Sequence, residues 1–104
     1  MKIMDILVKD AVLLDLDSSG KQAALQELAR SLAIAEPRLD AARLLEVLLE
    51  RERLQSTGIG DGVAIPHGKL PGLERLVASF ARSREGVDFD SIDGQKTHLF
   101  FLLV

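Results

Sequence analysis

The sequence predicts an α/β fold in which a mixed β-sheet is sandwiched between helices. Three observations support this: two amphipathic helical patterns, several strand-like segments mixed in order with them, and a near-continuous apolar run at residues 98–104. Such a run is typical of a strand that is covered on both faces. Helical and strand patterns along one chain favour helices layered on a sheet. The 104 residues are expected to form a single domain, residues 1–104.

Two helices are predicted, one over residues 21–35 and one from residue 41 to residue 53 or 54. In both segments apolar residues recur at the i, i+3, i+4, i+7 spacing that places them on one face of a helix. Asp40 is expected to cap the second helix, and Ser18 or Ser19 the first. Short polar side chains at that position accept backbone N–H groups of the first turn.

Four segments have the composition of strands: residues 11–16, 63–65, 76–81 and 98–104. Residues 3–7 predict a short helical turn. Residues 55–62 are rich in glycine and predict a loop, and residues 82–86 predict a polar connection. Residues 87–90 alternate apolar and acidic side chains, which indicates a half-buried segment.

Composition excludes several classes of function. The net charge of −3 gives no basic footprint, so no nucleic-acid partner is expected. The sequence has no cysteine, which excludes disulfides, thiol catalysis and most zinc fingers. No apolar run reaches the roughly 18–20 residues of a membrane span, and the first residues lack the apolar core of a signal peptide. We therefore expect a cytoplasmic protein without direct membrane insertion.

The stretch from Thr57 to Lys69 is the candidate functional segment, because it combines three glycines with the sequence Pro66-His67-Gly68. A neutral imidazole has one unprotonated nitrogen and can act as a nucleophile in covalent catalysis. Gly68 leaves one side of the imidazole open to a reactant. The alternative is a structural histidine that satisfies a backbone group. We favour His67 as a nucleophile that takes and gives a phosphoryl group.

Other residues have less specific interpretations. Arg51 and Arg53 suit the end of a helix, and a guanidinium there binds phosphate oxygens if it turns toward His67. The glycines lack both the GxGxxG spacing and the Walker ending, so they indicate a shaping loop rather than a nucleotide site. His98 is interpreted as a core or edge histidine. A metal-dependent hydrolase that uses both histidines is the weakest hypothesis, because no third ligand stands at metal-like spacing.

Three segments resemble the active-site signature of type-2 enzyme IIA domains of the bacterial phosphoenolpyruvate-dependent phosphotransferase system: residues 51–53, 56–60 and 62–69. By this resemblance His67 is phosphorylated on Nε2 by a small histidine-phosphorylated carrier protein of the HPr type. Arg51 matches an arginine that steadies the phosphoryl group, and Ser56, Thr57 and Gly68 lie in the loop that binds it. The resemblance covers essentially the whole chain, and it implies a type-2 enzyme IIA-like fold and no cofactor.

The resemblance favours the nitrogen-regulatory branch, in which the carrier acts on a regulatory target protein. Two alternatives stay open: a fructose-type enzyme IIA that passes the group to the IIB domain of a transporter, and a regulatory interaction module that works without phosphorylation. The family domain continues past Val104 with further helices and a second active-site histidine, so we expect the chain to be C-terminally incomplete. Residues 98–104 would then be covered by further chain or by a homo-oligomer.

Overall fold

The computed structural model describes residues 3–17, 20–72 and 76–104. Its helices are α1 (Ile3–Ile6), α2 (Lys21–Ala35) and α3 (Ala41–Leu54), with one 3₁₀ turn at Lys9–Ala11. Its strands are β1 (Gly58–Gly60), β2 (Val63–Ala64), β3 (Ala78–Val87) and β4 (Thr97–Leu103). Because the strands form one sheet of mixed direction beside the helices, the predicted α/β fold is confirmed.

Both long helices begin and end where the apolar periodicity predicts. Asp40 caps α3, since its carboxylate accepts two first-turn backbone N–H groups at 3.0 and 3.4 Å. Gly20 stands at the N-cap of α2 and contributes no side-chain bond. Ser18 and Ser19, the expected caps, lie outside the described residues. No helix in the described ranges is long and apolar enough to cross a membrane.

The sheet places β4 in its interior, in the order β1-β2-β4-β3. β2 runs parallel to β4, whereas the β1–β2 and β3–β4 pairs are antiparallel. Phe100 therefore stands opposite Ala64 on one side and Ala81 on the other. This position accounts for the apolar run of residues 98–104, because the side chains of an interior strand meet neighbours on two strands.

One face of the sheet forms the core together with α2 and α3. Phe100 and Leu102 are fully buried there, and the ring of Phe100 meets that of Phe89 edge-on at a centroid distance of 5.4 Å. The helices add the buried side chains of Leu25, Leu28, Leu32, Leu44 and Leu48. On the opposite face Phe101 is half-buried, and its ring lies 5.0 Å from that of Phe80. The described residues thus cover one face of β4 fully and the other in part.

Most of the other predicted segments appear at their expected places. The strand predictions at residues 63–65, 76–81 and 98–104 correspond to β2, the first part of β3 and β4. The helical turn predicted at residues 3–7 is α1. Residues 87–90 alternate as predicted, because Val87 and Phe89 are buried and the two aspartates between and after them are exposed.

Residues 11–16 do not form the predicted strand. Within this segment Leu13 makes an isolated bridge to β3, where its N–H donates to the carbonyl of Phe80 at 2.9 Å. The carbonyl of Leu13 accepts the N–H of Arg82 at 2.8 Å. The chain bends directly afterwards, so the ladder stops after one residue despite the apolar composition.

The polar connection predicted at residues 82–86 is also wrong, because β3 continues through it. β3 lies at one end of the four-stranded sheet, and charged side chains suit such an edge position. Arg82 donates through Nε to the carbonyl of Leu14 at 2.9 Å, and Nε of Arg84 lies 2.9 Å from the carboxylate of Asp15. The strand therefore forms despite its polar composition, because its arginines find partners in another part of the chain.

The loop predicted at residues 55–62 contains a short strand, β1. It pairs with β2 through a tight turn at Asp61 and Gly62, whose φ angles are 55° and 79°. Glycine adopts such left-handed angles without steric cost, which suits it to this turn. The glycines therefore shape a hairpin directly before the candidate functional histidine.

Candidate functional site

The backbone around His67 is fixed by the end of β4. The carbonyl of Pro66 accepts the N–H of Leu103 at 3.0 Å, and the N–H of Gly68 donates to the carbonyl of Leu103 at 3.2 Å. These bonds make an isolated parallel bridge between His67 and Leu103. The side chain of His67 is exposed, whereas Pro66 before it is buried. The chain thus presents this imidazole at the surface from a fixed backbone.

The imidazole of His67 is oriented by one backbone contact. Its Nδ1 lies 2.7 Å from the carbonyl oxygen of Ile65. A carbonyl can only accept, so Nδ1 must carry the proton in this contact. In the neutral ring Nε2 is then unprotonated and holds the lone pair that a nucleophile needs. The contact is compatible with both interpretations of His67, as a structural histidine and as a nucleophile. Nδ1 satisfies a backbone carbonyl, and Nε2 stays available for chemistry.

His67 lines an open cavity of about 600 Å³ together with Arg51, Gly68 and Lys69. The rest of the lining is apolar: Ile65, Leu76, Leu103 and Val104. The two charged side chains of this lining, Arg51 and Lys69, are both cationic. An anionic group at His67 would therefore meet positive charge and a low-polarity wall. Lys69 is not among the site residues predicted from the sequence, although it stands two positions after the histidine.

Arg51 lies in the last turn of α3, and its Nη1 donates to the carbonyl of Gln55 at 2.8 Å. This bond holds the guanidinium over the end of the helix, where a cation suits the helix dipole. Arg53 instead lines a different cavity, beside Lys21 and Glu52. The fold therefore distinguishes two arginines that the helix pattern left equivalent, and it brings Arg51, the one that the family resemblance singled out, to the cavity of His67.

Ser56 and Thr57 do not line the cavity of His67. The hydroxyl of Ser56 donates to the carbonyl of Phe89 at 2.9 Å and accepts the N–H of Gly58 at 3.0 Å. The hydroxyl of Thr57 donates to Oε1 of Glu52, and Thr57 is buried. In this structure both hydroxyls therefore bond to the protein itself, and they hold the hairpin that precedes His67.

Glu52 is a buried carboxylate that is not among the site residues predicted from the sequence. It is 8% exposed. A signal was available, because Glu52 follows Leu44 and Leu48 at steps of four and therefore falls on the buried face of α3. A charged residue in register with an apolar stripe predicts a buried, partnered carboxylate.

His98 lies away from His67, in a separate cavity lined by Asp61, Asp93 and Lys96 among others. His98 is an exposed residue, so of its two expected positions the core one is wrong. The reason is the irregular pairing of β3 with β4 between residues 82 and 87, which places the bulged segment opposite His98. The ring contacts that segment, with Nδ1 lying 2.9 Å from the carbonyl of Ser83.

The carboxylate of Asp93, in the cavity of His98, is bonded to two backbone N–H groups. The pKa of Asp93 is lowered below its ordinary value, chiefly because its carboxylate accepts the N–H of Gln95 and then that of Asp61, each at 3.0 Å. The bond from Asp61 ties the β1–β2 turn to the segment before β4. Within residues 3–17, 20–72 and 76–104, no three His, Cys, Asp or Glu side chains are grouped so that they could hold a metal ion.

Gly68 is packed so closely against α3 that a methyl group would collide with it. A Cβ at Gly68 would lie 2.5 Å from Cγ1 of Val47, closer than real carbon atoms approach. We expect Gly68→Ala to lower the free energy of unfolding by about 1–3 kcal/mol, as for other overpacked sites. Urea titration measures this loss.

Val47→Ala supplies the matched control for that substitution. It removes the methyl group that collides, so Gly68→Ala should cost much less in the Val47→Ala background than in the wild type. Equal costs in the two backgrounds, or no cost in the wild type, would show that the His67 segment is not held against α3 as described.

Comparison with known proteins identifies the family. Residues 5–104 match the family described as "Phosphoenolpyruvate-dependent sugar phosphotransferase system, EIIA 2". The nitrogen regulatory protein of Bradyrhizobium diazoefficiens is 47% identical over 104 residues, which are 100% of this chain and 67% of that protein. The fructose-specific EIIABC component of the Bacillus subtilis phosphotransferase system is 39% identical over 103 residues, which are 99% of this chain and 16% of that protein.

A solved structure has the same fold. The nitrogen regulatory protein IIA-Ntr from Neisseria meningitidis superposes with a TM-score of 0.87 at 38% identity, over 97% of this chain and 68% of that one. The chain thus spans about two thirds of these nitrogen regulatory proteins and a small part of the fructose component. It belongs to the type-2 enzyme IIA family of the phosphoenolpyruvate-dependent sugar phosphotransferase system, whose members are phosphoryl-carrier components.

Proposed function

We propose that this protein carries a phosphoryl group on Nε2 of His67, which it accepts from a small histidine-phosphorylated carrier protein of the HPr type. The observation that carries the proposal is the contact of Nδ1 with the carbonyl of Ile65 at 2.7 Å. It leaves Nε2 unprotonated in the neutral ring, at a cavity whose charged lining residues are cationic. Family membership supports a carrier role in general terms.

In the proposed step the lone pair of His67 Nε2 attacks the phosphorus of the donor's phosphohistidine. A P–N bond forms at Nε2 while the donor's P–N bond breaks, and the donor imidazole leaves with that electron pair. Positive charge develops on the ring of His67, and the carbonyl of Ile65 stabilises it through the bond from Nδ1–H. Because both partners are imidazoles, the exchange is nearly balanced and reversible.

The cationic residues of the cavity supply the electrostatic part of the mechanism. Phosphoryl transfer passes through a loose transition state with charge on three equatorial oxygens, so catalysis is mostly positioning and charge stabilisation. Arg51 offers a permanently charged planar fork for those oxygens, and Lys69 adds a second positive charge. Gly68, beside His67 in the cavity lining, adds no side chain to the approach. Ser56 and Thr57 take part by holding the hairpin.

We assign the carrier to nitrogen or metabolic regulation, acting in the cytoplasm as a single domain on a regulatory target protein. The 47% identity to one nitrogen regulatory protein and the 38% identity to a second support this branch. A sugar-transport role, with transfer to a transporter IIB domain, is the second candidate, because the fructose-specific EIIABC component is 39% identical.

The proposal also includes self-association of the protein across the half-buried face of β4. Light scattering tests this by measuring the molar mass of the protein in solution.

The direct test uses phosphoenolpyruvate and the general phosphotransferase proteins as the donor system. We expect the protein to gain the mass of one phosphoryl group, in a form that is labile to acid and stable to base, with the modified peptide containing His67. Absence of this gain, or a gain confined to another residue, overturns the proposal. Partner capture that is equal for wild type, His67→Asp and His67→Ala would instead favour an interaction module that works without phosphorylation.

A further inference from the structure

We propose that Glu52 is a positioning residue for His67 and acts on it through Thr57. The inference rests on the proposed role of His67 as the phosphoryl acceptor, and it adds a residue that does not touch the reacting atoms. Glu52 ends the buried stripe of α3, and its carboxylate reaches the first residues of the hairpin that leads to the histidine.

The carboxylate of Glu52 accepts hydrogen bonds at Oε1 and makes an ion pair, without a hydrogen bond, at Oε2. Oε1 accepts the backbone N–H of Thr57 at 2.9 Å and also the hydroxyl of Thr57. Oε2 lies 2.7 Å from Nζ of Lys21, which comes from α2. Removing one partner of a buried charged group leaves the other uncompensated, so the three residues form a unit. This unit ties α2 and α3 to the start of the hairpin.

Lys21 is itself held in place by the segment that follows β3. Its Nζ lies 3.6 Å from the carboxylate of Asp90 and 5.2 Å from the centroid of the Phe89 ring. The ammonium group therefore sits between two carboxylates and an aromatic face, a set of contacts that favours one position. Since Lys21 is fixed, it fixes the orientation of the Glu52 carboxylate in turn.

Two further hydrogen bonds connect Thr57 to the imidazole. The carbonyl of Thr57 accepts the N–H of Ile65 at 3.0 Å. The carbonyl of Ile65, on the same residue, accepts Nδ1–H of His67 at 2.7 Å. A chain of hydrogen bonds thus runs from the buried carboxylate to the ring that is proposed to carry the phosphoryl group. Such outer contacts commonly set the tautomer and orientation of a functional histidine.

The expected consequence of breaking this chain is a change in the imidazole itself. Without Glu52 the buried N–H and hydroxyl of Thr57 lose their acceptor, and the hairpin must move to satisfy them. The carbonyl of Ile65 then no longer holds Nδ1–H in one place. We expect Glu52→Ala to raise the fraction of His67 protonated at Nε2 and to slow phosphoryl acceptance by about 10-fold or more, as misplacement of a reacting group does.

The test reads the tautomer directly in protein labelled with ¹⁵N in its histidine rings. Spectra are recorded above the ordinary titration range of imidazole, so that the ring is neutral. In the wild type we expect a protonated Nδ1 and an unprotonated Nε2 at His67. Glu50→Ala, an exposed change in the same helix, should leave these signals and the phosphorylation rate unchanged. Glu52→Ala should move the two nitrogen shifts toward each other, and Glu52→Gln should restore them in part, because its amide oxygen still accepts from Thr57.

A merely structural role for Glu52 makes a different prediction. Folded Glu52→Ala with wild-type nitrogen shifts at His67 and a wild-type transfer rate would overturn the proposal. If Glu52→Ala does not fold, Thr57→Val takes its place, with Thr57→Ser as the conservative partner. Wild-type nitrogen shifts at His67 and wild-type transfer rates in both Thr57 variants would equally overturn the proposal. The tautomer needs no phosphoryl donor, so a wild type that is not phosphorylated refutes the proposed function without deciding this inference.

Discussion

His67→Ala is expected to abolish phosphoryl acceptance completely, whereas His98→Ala should retain the wild-type rate. The two are the only histidines in the sequence. His67 lines the cationic cavity with Nδ1 bonded to the carbonyl of Ile65, and His98 lies in a separate cavity with Nδ1 against the carbonyl of Ser83. The measurement is the rate of mass gain from the phosphoenolpyruvate donor system for wild type and both variants.

Comparing the two variants shows whether phosphoryl acceptance needs His67 in particular or can use either exposed histidine. Both residues are exposed, so both substitutions should leave the fold intact, and circular dichroism checks this. Equal mass gain in His67→Ala and wild type would refute the assignment of His67. Loss of gain in His98→Ala, with the fold intact, would show that the second cavity takes part in the reaction.

Phe100→Ala is expected to lower the free energy of unfolding by about 3–5 kcal/mol, which is the usual cost of deleting a buried aromatic side chain. Phe100 is fully buried on the interior strand β4, and its ring meets that of Phe89 at 5.4 Å. The substitution leaves a cavity between the sheet and the helices. Since domains of this size are stabilised by about 5–15 kcal/mol, this change threatens folding itself.

Phe101→Ala is the control for that prediction, one position along the same strand. Its ring is half-buried on the other face of the sheet, beside Phe80, so less apolar area is lost and solvent can fill the space. We expect a smaller loss, measured by the same urea titration. A larger loss for Phe101→Ala than for Phe100→Ala would mean that the second face of β4 is more deeply covered in solution than the described residues cover it.

Helices and interior strands could be predicted from the sequence, because their signals are local. The apolar spacing in residues 21–35 and 41–54 identifies one buried face for each helix, and both helices end where that spacing ends. The apolar run at residues 98–104 marks β4 by its continuous apolar composition rather than by a period. Burial on one side of a regular element repeats with its period, so the sequence records it directly.

The edges of the sheet could not be predicted in this way. Residues 82–86 are polar and still form part of β3, since Arg82 and Arg84 meet partners from the segment near Leu14 and Asp15. Residues 11–16 are apolar and still make only an isolated bridge, at Leu13. In both cases the outcome depends on which distant segment lies alongside, and that information is not in the local composition.

For the candidate site, the sequence by itself determined the segment with the histidine and the glycines that shape the hairpin before it. Family resemblance singled out Arg51, and the tertiary structure decided where the side chains around the site lie. It brought Arg51 rather than Arg53 to the cavity of His67, and it turned the hydroxyl of Thr57 toward Glu52. The physical reason is that neighbouring side chains at a helix end point in different directions, and only packing against the sheet decides which of them meets the site.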